Sequence, residues 1–216
     1  MKEIDSPSDL NEHIASELLR IEAIKLKPKE PFTWSSGWKS PIYCDNRMTL
    51  SYPDLRETIK LGFSEQIKQR YPNVECIAGV ATAGIPQGAL VADELGLPFI
   101  YVRSKPKGHG MENMIEGKVV EGQKVVVIED LISTGGSSIK AIHALRACQL
   151  DVLGLGAIFT YDFPHAAENL KSESIDYFSL SDYNVLLPIA RQLNYIKEED
   201  MVSLSSWRKA PDAWNQ

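Results

Sequence analysis

The stretch Val125-Val126-Val127-Ile128-Glu129-Asp130-Leu131-Ile132-Ser133-Thr134-Gly135-Gly136-Ser137-Ser138 holds the ingredients of an anion site. Four apolar residues read as a strand buried on both faces. Two consecutive acids follow, and then a small-residue loop that opens a helix. The hydroxyls of Ser133, Thr134 and Ser137, with unobstructed N–H groups around Gly135 and Gly136, can cradle a phosphate at that helix N-terminus. Glu129 and Asp130 would repel the same phosphate, so they serve another purpose. They can hold a metal ion or accept hydrogen bonds from sugar hydroxyls next to the phosphate. An ordinary strand–loop–helix corner also uses Asp, Ser and Gly; run, acid pair and loop together are more specific than either half. Neither G-x-x-x-x-G-K-[ST] nor a strand–helix G-x-G-x-x-G occurs in the chain.

Two further segments point to an anion. Arg103-Ser104-Lys105-Pro106-Lys107-Gly108-His109-Gly110 is the densest cationic run, and it leaves a predicted strand at Pro98 to Val102. By composition alone it is a solvated loop, and that reading is the stronger one for Lys105. A mobile basic loop can also close over pyrophosphate and exclude water. Ala81-Thr82-Ala83-Gly84 joins a strand to a helix through small residues, which let the main chain approach an anion closely.

The elements that must position these segments follow from periodicity. Leu10, Ile14, Leu18 and Ile21 predict a helix from a capping Ser6 to about Ile24. Lys25 to Ser40 reads as irregular, and Ile42 to Cys44 as a short strand. Leu55, Ile59, Phe63 and Ile67 share one face of a helix opened by Pro53. Strands over Cys76–Val80, Pro98–Val102, Lys124–Ile128 and Val152–Phe159 then alternate with helices over Gly84–Leu95 and Ser137–Cys148. Such alternation predicts an α/β domain with a parallel sheet covered on both sides. Ligands of such sheets bind at the carboxyl ends of the strands, where the acid pair and both loops fall. The chain reads as one domain: an N-terminal helix and hood over 1–50, an α/β core over 51–175, and a C-terminal strand and helical surface over 176–216.

Composition narrows the class. The chain has 216 residues, 44% hydrophobic and 24% charged, and a net charge of −6. That is ordinary globular usage, without a global field for nucleic acid. No apolar run approaches a membrane span, and the start lacks the apolar core of a signal peptide. Three scattered cysteines, Cys44, Cys76 and Cys148, fit a reducing compartment better than a disulfide or zinc framework. The expectation is a cytoplasmic protein with no nucleic-acid or membrane partner.

The acid-pair segment resembles the phosphoribosyl pyrophosphate motif of type I phosphoribosyltransferases. Arg103 followed by Lys107-x-His109 is similar to the flexible loop of the orotate phosphoribosyltransferases. Phe32-Thr33-Trp34-Ser35-Ser36-Gly37-Trp38-Lys39-Ser40-Pro41-Ile42-Tyr43-Cys44-Asp45-Asn46-Arg47 is similar to their N-terminal hood. The resemblance covers roughly Glu30 to Phe163 and implies transfer of phosphoribosyl from phosphoribosyl pyrophosphate to orotate. It implies that Glu129 and Asp130 hold the ribose, that Leu131, Ile132, Ser133, Thr134, Gly135, Gly136 and Ser137 surround the 5′-phosphate, and that Ala81, Thr82, Ala83 and Gly84 meet the pyrophosphate. Arg103, Lys107 and His109 act as cations of the closing loop, Lys107 with Glu129 and Asp130 as catalytic residues, while Ser133, Ser35 and Ser36 face orotate. It further implies Mg²⁺ carried on the pyrophosphate, with no protein ligand set, and a homodimer whose Arg103–Gly117 loop acts in trans. The chain departs from many members in three places: Ser35 stands where they have Lys, Ala83 or its neighbour stands where they have a second Lys, and Tyr161-Asp162-Phe163 stands where they have Asp-Arg. A salvage enzyme for another base is disfavoured by the hood string. A regulator sensing phosphoribosyl pyrophosphate is disfavoured by the brief, acidic N-terminal extension.

Overall fold

The computed structural model describes residues 7–34, 36–105 and 114–214. Its centre is a six-stranded sheet of β5 (Cys76–Val80), β6 (Phe99–Val102), β7 (Ile115–Glu116), β8 (Lys124–Ile132), β9 (Asp151–Thr160) and β10 (Tyr177–Asp182). The spatial order is β10-β9-β8-β5-β6-β7. Every pairing is parallel except β6 with β7, where Tyr101 lies opposite Glu116. The sequence reading had no β7, because two residues are too few to show a period.

β8 alternates between two cores. Val125 and Val127 face one with Ala141, Ile142 and Leu145 of α4 (Gly136–Ala147) and Leu170 of α5 (Pro164–Ser172). Val126 and Ile128 face the other, with Ile14 and Leu18 of α1 (Pro7–Arg20), Phe63 and Ile67 of α2 (Pro53–Arg70) and Val91 of α3 (Gly84–Leu95). Burying a side chain of this size contributes roughly 1.5–3 kcal/mol, so the Val/Ile run fixes β8 in the centre.

Some boundaries differ from the sequence reading. α1 stops at Arg20 rather than near Ile24, because Glu22 takes a positive φ of 58° and Ile24 opens a strand. That strand, β1 (Ile24–Leu26), pairs with β4 (Ile42–Cys44). A second small ribbon joins β2 (Phe32–Thr33) to β3 (Lys39–Ser40), so the segment read as irregular is two hairpin-like pairings. β8 continues through the acids to Ile132, since β9 stays paired to it through Leu131–Phe159 and Ile132–Thr160. The C-terminal segment read as surface is core: Tyr183 of α6 (Tyr183–Gln192), with Leu204 and Trp207 of α7 (Met201–Lys209), is fully buried. α1 packs against β10 and α6, drawing the two ends of the chain together.

The order places the topological switch between β5 and β8: from β5 the chain runs to β6 on one side, then returns to β8 on the other. A crevice opens at such a point, at the strands' carboxyl ends. Among the described residues, no helix is long and apolar enough to cross a membrane.

Candidate active site

The first cleft occupies that switch point, with a volume of about 330 Å³. Ala81, Thr82 and Ala83 after β5 line one wall; Glu129, Asp130 and Leu131 of β8, with Ser137 of α4, line another. The close approach of these walls depends on Gly84, where a Cβ would meet the Ile128 carbonyl oxygen at 2.4 Å. The Ala81–Thr82 peptide bond is cis. α3 and α4 both begin at the cleft without a side-chain cap, leaving backbone N–H groups to an incoming anion. Gly135, just before α4, has a φ of +82°, a backbone that side-chain-bearing residues rarely adopt.

The two acids have different surroundings. Glu129 is buried, 5% exposed. It accepts the Asp130 N–H at 3.0 Å and the Ser137 and Ser138 hydroxyls at 3.3 and 3.5 Å. Burial pushes its carboxyl well above the usual range, and the Asp130 charge adds to this. Burial also raises Asp130, but hydrogen bonds and the positive charge of Arg47 counter it. Both carboxyls of this buried pair are therefore held above their ordinary range.

The second cleft, about 590 Å³, is aromatic. Trp34, Trp38, Tyr43 and Tyr161 line it beside Thr33, Ser36, Ser133 and Thr134. Cys44 and Leu131 line both clefts and so stand where they meet. Burial pushes the Cys44 thiol well up, which keeps it neutral. Trp34 stacks on Tyr161 at 5.3 Å and meets Trp207 edge-on at 5.8 Å, while its indole N–H donates to the Ile42 carbonyl at 3.1 Å. The Tyr161 N–H and the Thr160 hydroxyl both donate to the Ile132 carbonyl, tying the end of β9 to the phosphate loop.

Most residues singled out from sequence thus converge. Glu129, Asp130, Leu131, Ser137, Ala81, Thr82 and Ala83 line the first cleft; Ser36, Ser133 and Thr134 line the second. Ile132 is an exception, since its side chain is buried in the core and its carbonyl is already engaged. Arg103 pairs with Glu116 at 3.1 Å and is absent from the described lining of both clefts. Lys107, His109 and Ser35 lie outside the described residues. The sequence reading gave no role to Trp34, Trp38, Tyr43, Cys44, Asp45 or Arg47, although all six sit in the hood string. Tyr161 was noted there only as a departure. Their shared signal was position in that string; which of them reach a cleft depends on the fold.

Comparison with known proteins agrees with this geometry. Residues 61–187 match the phosphoribosyl transferase domain family. The orotate phosphoribosyltransferase of Cytophaga hutchinsonii is 55% identical, over 94% of this chain and 97% of that one. That of Phocaeicola vulgatus is 56% identical, over 95% of this chain and 97% of its own length. The crystal structure of orotate phosphoribosyltransferase from Aeropyrum pernix superposes with a TM-score of 0.73 at 28% identity, covering 85% of this chain and 99% of that one. With a switch-point cleft that joins an acid pair to an aromatic pocket, and relatives of this similarity over nearly its whole length, the chain belongs to the orotate phosphoribosyltransferase family.

Proposed function

We propose that this enzyme transfers the phosphoribosyl group of phosphoribosyl pyrophosphate to orotate, giving orotidine 5′-phosphate and pyrophosphate, a step of pyrimidine biosynthesis. One observation carries the reading: the acid-lined cleft and the aromatic cleft meet at Cys44 and Leu131. A sugar held at Asp130 therefore has its anomeric carbon between a pyrophosphate side and a planar-base side. The relatives' shared name supplies the identity of the base.

The C–O bond to pyrophosphate breaks, its electron pair leaves with the pyrophosphate, and a ring nitrogen of orotate forms the new C–N bond. Positive charge develops on the ribose ring, and the carboxylate of Asp130 stabilises it electrostatically. Glu129, oriented by Ser137, Ser138 and the Asp130 N–H, accepts ribose hydroxyls. The α4 N-terminus with Ser133 to Ser137 holds the 5′-phosphate, and the N–H groups of Thr82 to Gly84 face the pyrophosphate. Trp34 and Tyr161 supply the flat walls against which a pyrimidine packs.

Among the described residues, no group of three or more His, Cys, Asp or Glu could hold a metal ion. The donor set is the pair Glu129 and Asp130, which fits Mg²⁺ arriving on substrate phosphates with its own waters. When bound, Mg²⁺ draws off negative charge from the leaving pyrophosphate. The resemblance to the family supports a homodimer in which the Arg103–Gly117 loop, with Lys107 and His109, closes over the partner's cleft. The three free cysteines support a cytoplasmic location.

The test is turnover with phosphoribosyl pyrophosphate, Mg²⁺ and each base in turn, following pyrophosphate release. Orotate should react about 10⁴-fold faster than uracil, hypoxanthine or adenine, the scale on which a site built to bind a polar group rejects an analogue lacking it. Equal or faster rates with a neutral base would refute the assignment.

A further inference from the structure

The pyrophosphate cleft is electrostatically unbalanced. Asp45, Glu129 and Asp130 line it, and among the described residues its one cation is Arg47. A pyrophosphate leaving group carries several negative charges and takes on more as its bond to ribose breaks. The loop at Thr82 to Gly84 offers it N–H groups and no side-chain charge.

Arg47 is built for the task. Its Nε and one terminal nitrogen donate to the two carboxylate oxygens of Asp45 at 2.6 and 2.8 Å. This fork fixes the guanidinium plane and leaves the remaining N–H groups of its outer edge for a second anion. The side chain is 61% exposed, so that edge is open. Its backbone is fixed to the catalytic strand: Asn46, the preceding residue, donates its side-chain amide to the Asp130 carbonyl at 2.7 Å. The Thr49 hydroxyl donates to the Asn46 carbonyl at 2.6 Å and accepts from the buried Gln87 of α3 at 3.1 Å. An exposed Arg–Asp pair is by default a surface ion pair of little consequence. This one lines the cleft, and its charge reaches Asp130.

We propose that Arg47 is a substrate-binding residue: from the hood it grips the pyrophosphate group of the donor and stabilises it as it leaves, supplying the charge that Ala83 does not. The proposal rests on the reaction proposed above. Its test combines steady-state kinetics, varying donor and orotate separately, with calorimetric binding of magnesium pyrophosphate. Arg47→Ala should raise the donor KM and weaken pyrophosphate binding by about ten- to a hundredfold, the usual weight of a charge-assisted hydrogen bond. The orotate KM should stay within about twofold, because Arg47 acts at the pyrophosphate end, and kcat should fall as well, because part of the interaction is made only as pyrophosphate leaves. Arg47→Lys should keep part of the effect, and guards against a folding defect in the alanine variant. Adding Ala83→Lys to Arg47→Ala should restore donor affinity, since both positions line one cleft. Unchanged donor KM and pyrophosphate affinity in Arg47→Ala would overturn the proposal. So would a loss shared equally with orotate and unrepaired by Ala83→Lys, which marks a structural role. If the wild type fails to use orotate while Arg47→Ala still abolishes pyrophosphate binding, the substrate assignment falls and the role of Arg47 stands.

Discussion

The two clefts meet at Cys44 and Leu131 but are built in opposite ways. The donor cleft takes Glu129, Asp130, Leu131 and Ser137 from one stretch at the end of a central strand, and Ala81 to Ala83 with the hood residues Asp45 and Arg47 complete it. The base cleft is assembled from the hood, the end of β9 and a C-terminal helix that never enters it: Trp207 touches Trp34, Tyr161, Phe163 and Tyr183 from behind. The donor cleft is thus framed mainly by the strand ends and loops of the central sheet. Base recognition depends on how distant aromatic side chains pack. The difference teaches that the base cleft can change with packing while the donor cleft stays as it is.

The strongest way to break that contrast is Trp207→Ala. A fully buried indole at the centre of the aromatic cluster should cost about 3–5 kcal/mol of stability when removed, measured by denaturant unfolding. In the folded fraction the orotate KM should rise, because Trp34 and Tyr161 lose their support, while the donor KM stays close to wild type. A donor KM that rises as far as the orotate KM would show the clefts to be one packing unit.

Asp130→Asn strikes the other cleft. It keeps the shape of the side chain and removes the charge that faces the developing sugar cation, so kcat should fall by about 10²–10³ with thermal stability maintained. The same variant tests the subunit arrangement. If Lys107 acts in trans, mixing Lys107→Ala with Asp130→Asn chains gives one site with both defects and one with neither, and activity returns. If it acts in cis, every site keeps a defect and mixing recovers nothing.

The smallest effect runs in the opposite direction. Glu129 has a carboxyl raised well above its ordinary value of 4.5, mainly by burial. An acid raised in the folded state holds its proton there after the unfolded chain has released it. Stability of the ligand-free enzyme is therefore full below about 4.5 and is lost as pH climbs from there through the raised folded value. Glu129→Gln removes that loss. Its melting temperature at pH 8 should exceed wild type by about 2–4 °C, the shift given by 1 kcal/mol in a chain of this size. At pH 4 the two should agree, and catalysis should be weaker throughout. A variant less stable than wild type at pH 8 would mean that the Ser137 and Ser138 hydrogen bonds outweigh the burial of charge.

Wherever a property depends on neighbours in sequence, it was legible. The helix over Gly84–Leu95 and the strand over Cys76–Val80 follow from local periodicity, and the structure has both with those bounds. The loop at Ser133 to Gly136 was readable as a small-residue strand–helix turn, because a few consecutive small residues suffice to present backbone N–H groups and hydroxyls. The C-terminal segment failed for the converse reason. Nothing near Trp207 in sequence says that Trp34 and Tyr161 cover it, so an apolar helix face reads the same at the surface as in a core.

The sequence by itself determined the parallel strands and the acid pair with its small-residue loop, because these depend on neighbours along the chain, whereas the strand order and its switch point emerged only in the fold. Only the tertiary structure decided how deeply the two acids are buried, because α4 folds over Glu129 and its Ser137 hydroxyl donates to that carboxyl. It also decided that Arg47, from the hood, shares a cleft with Ala83. Electrostatic roles depend on distance through space and on exclusion of water, and neither is written in the spacing of residues along the chain.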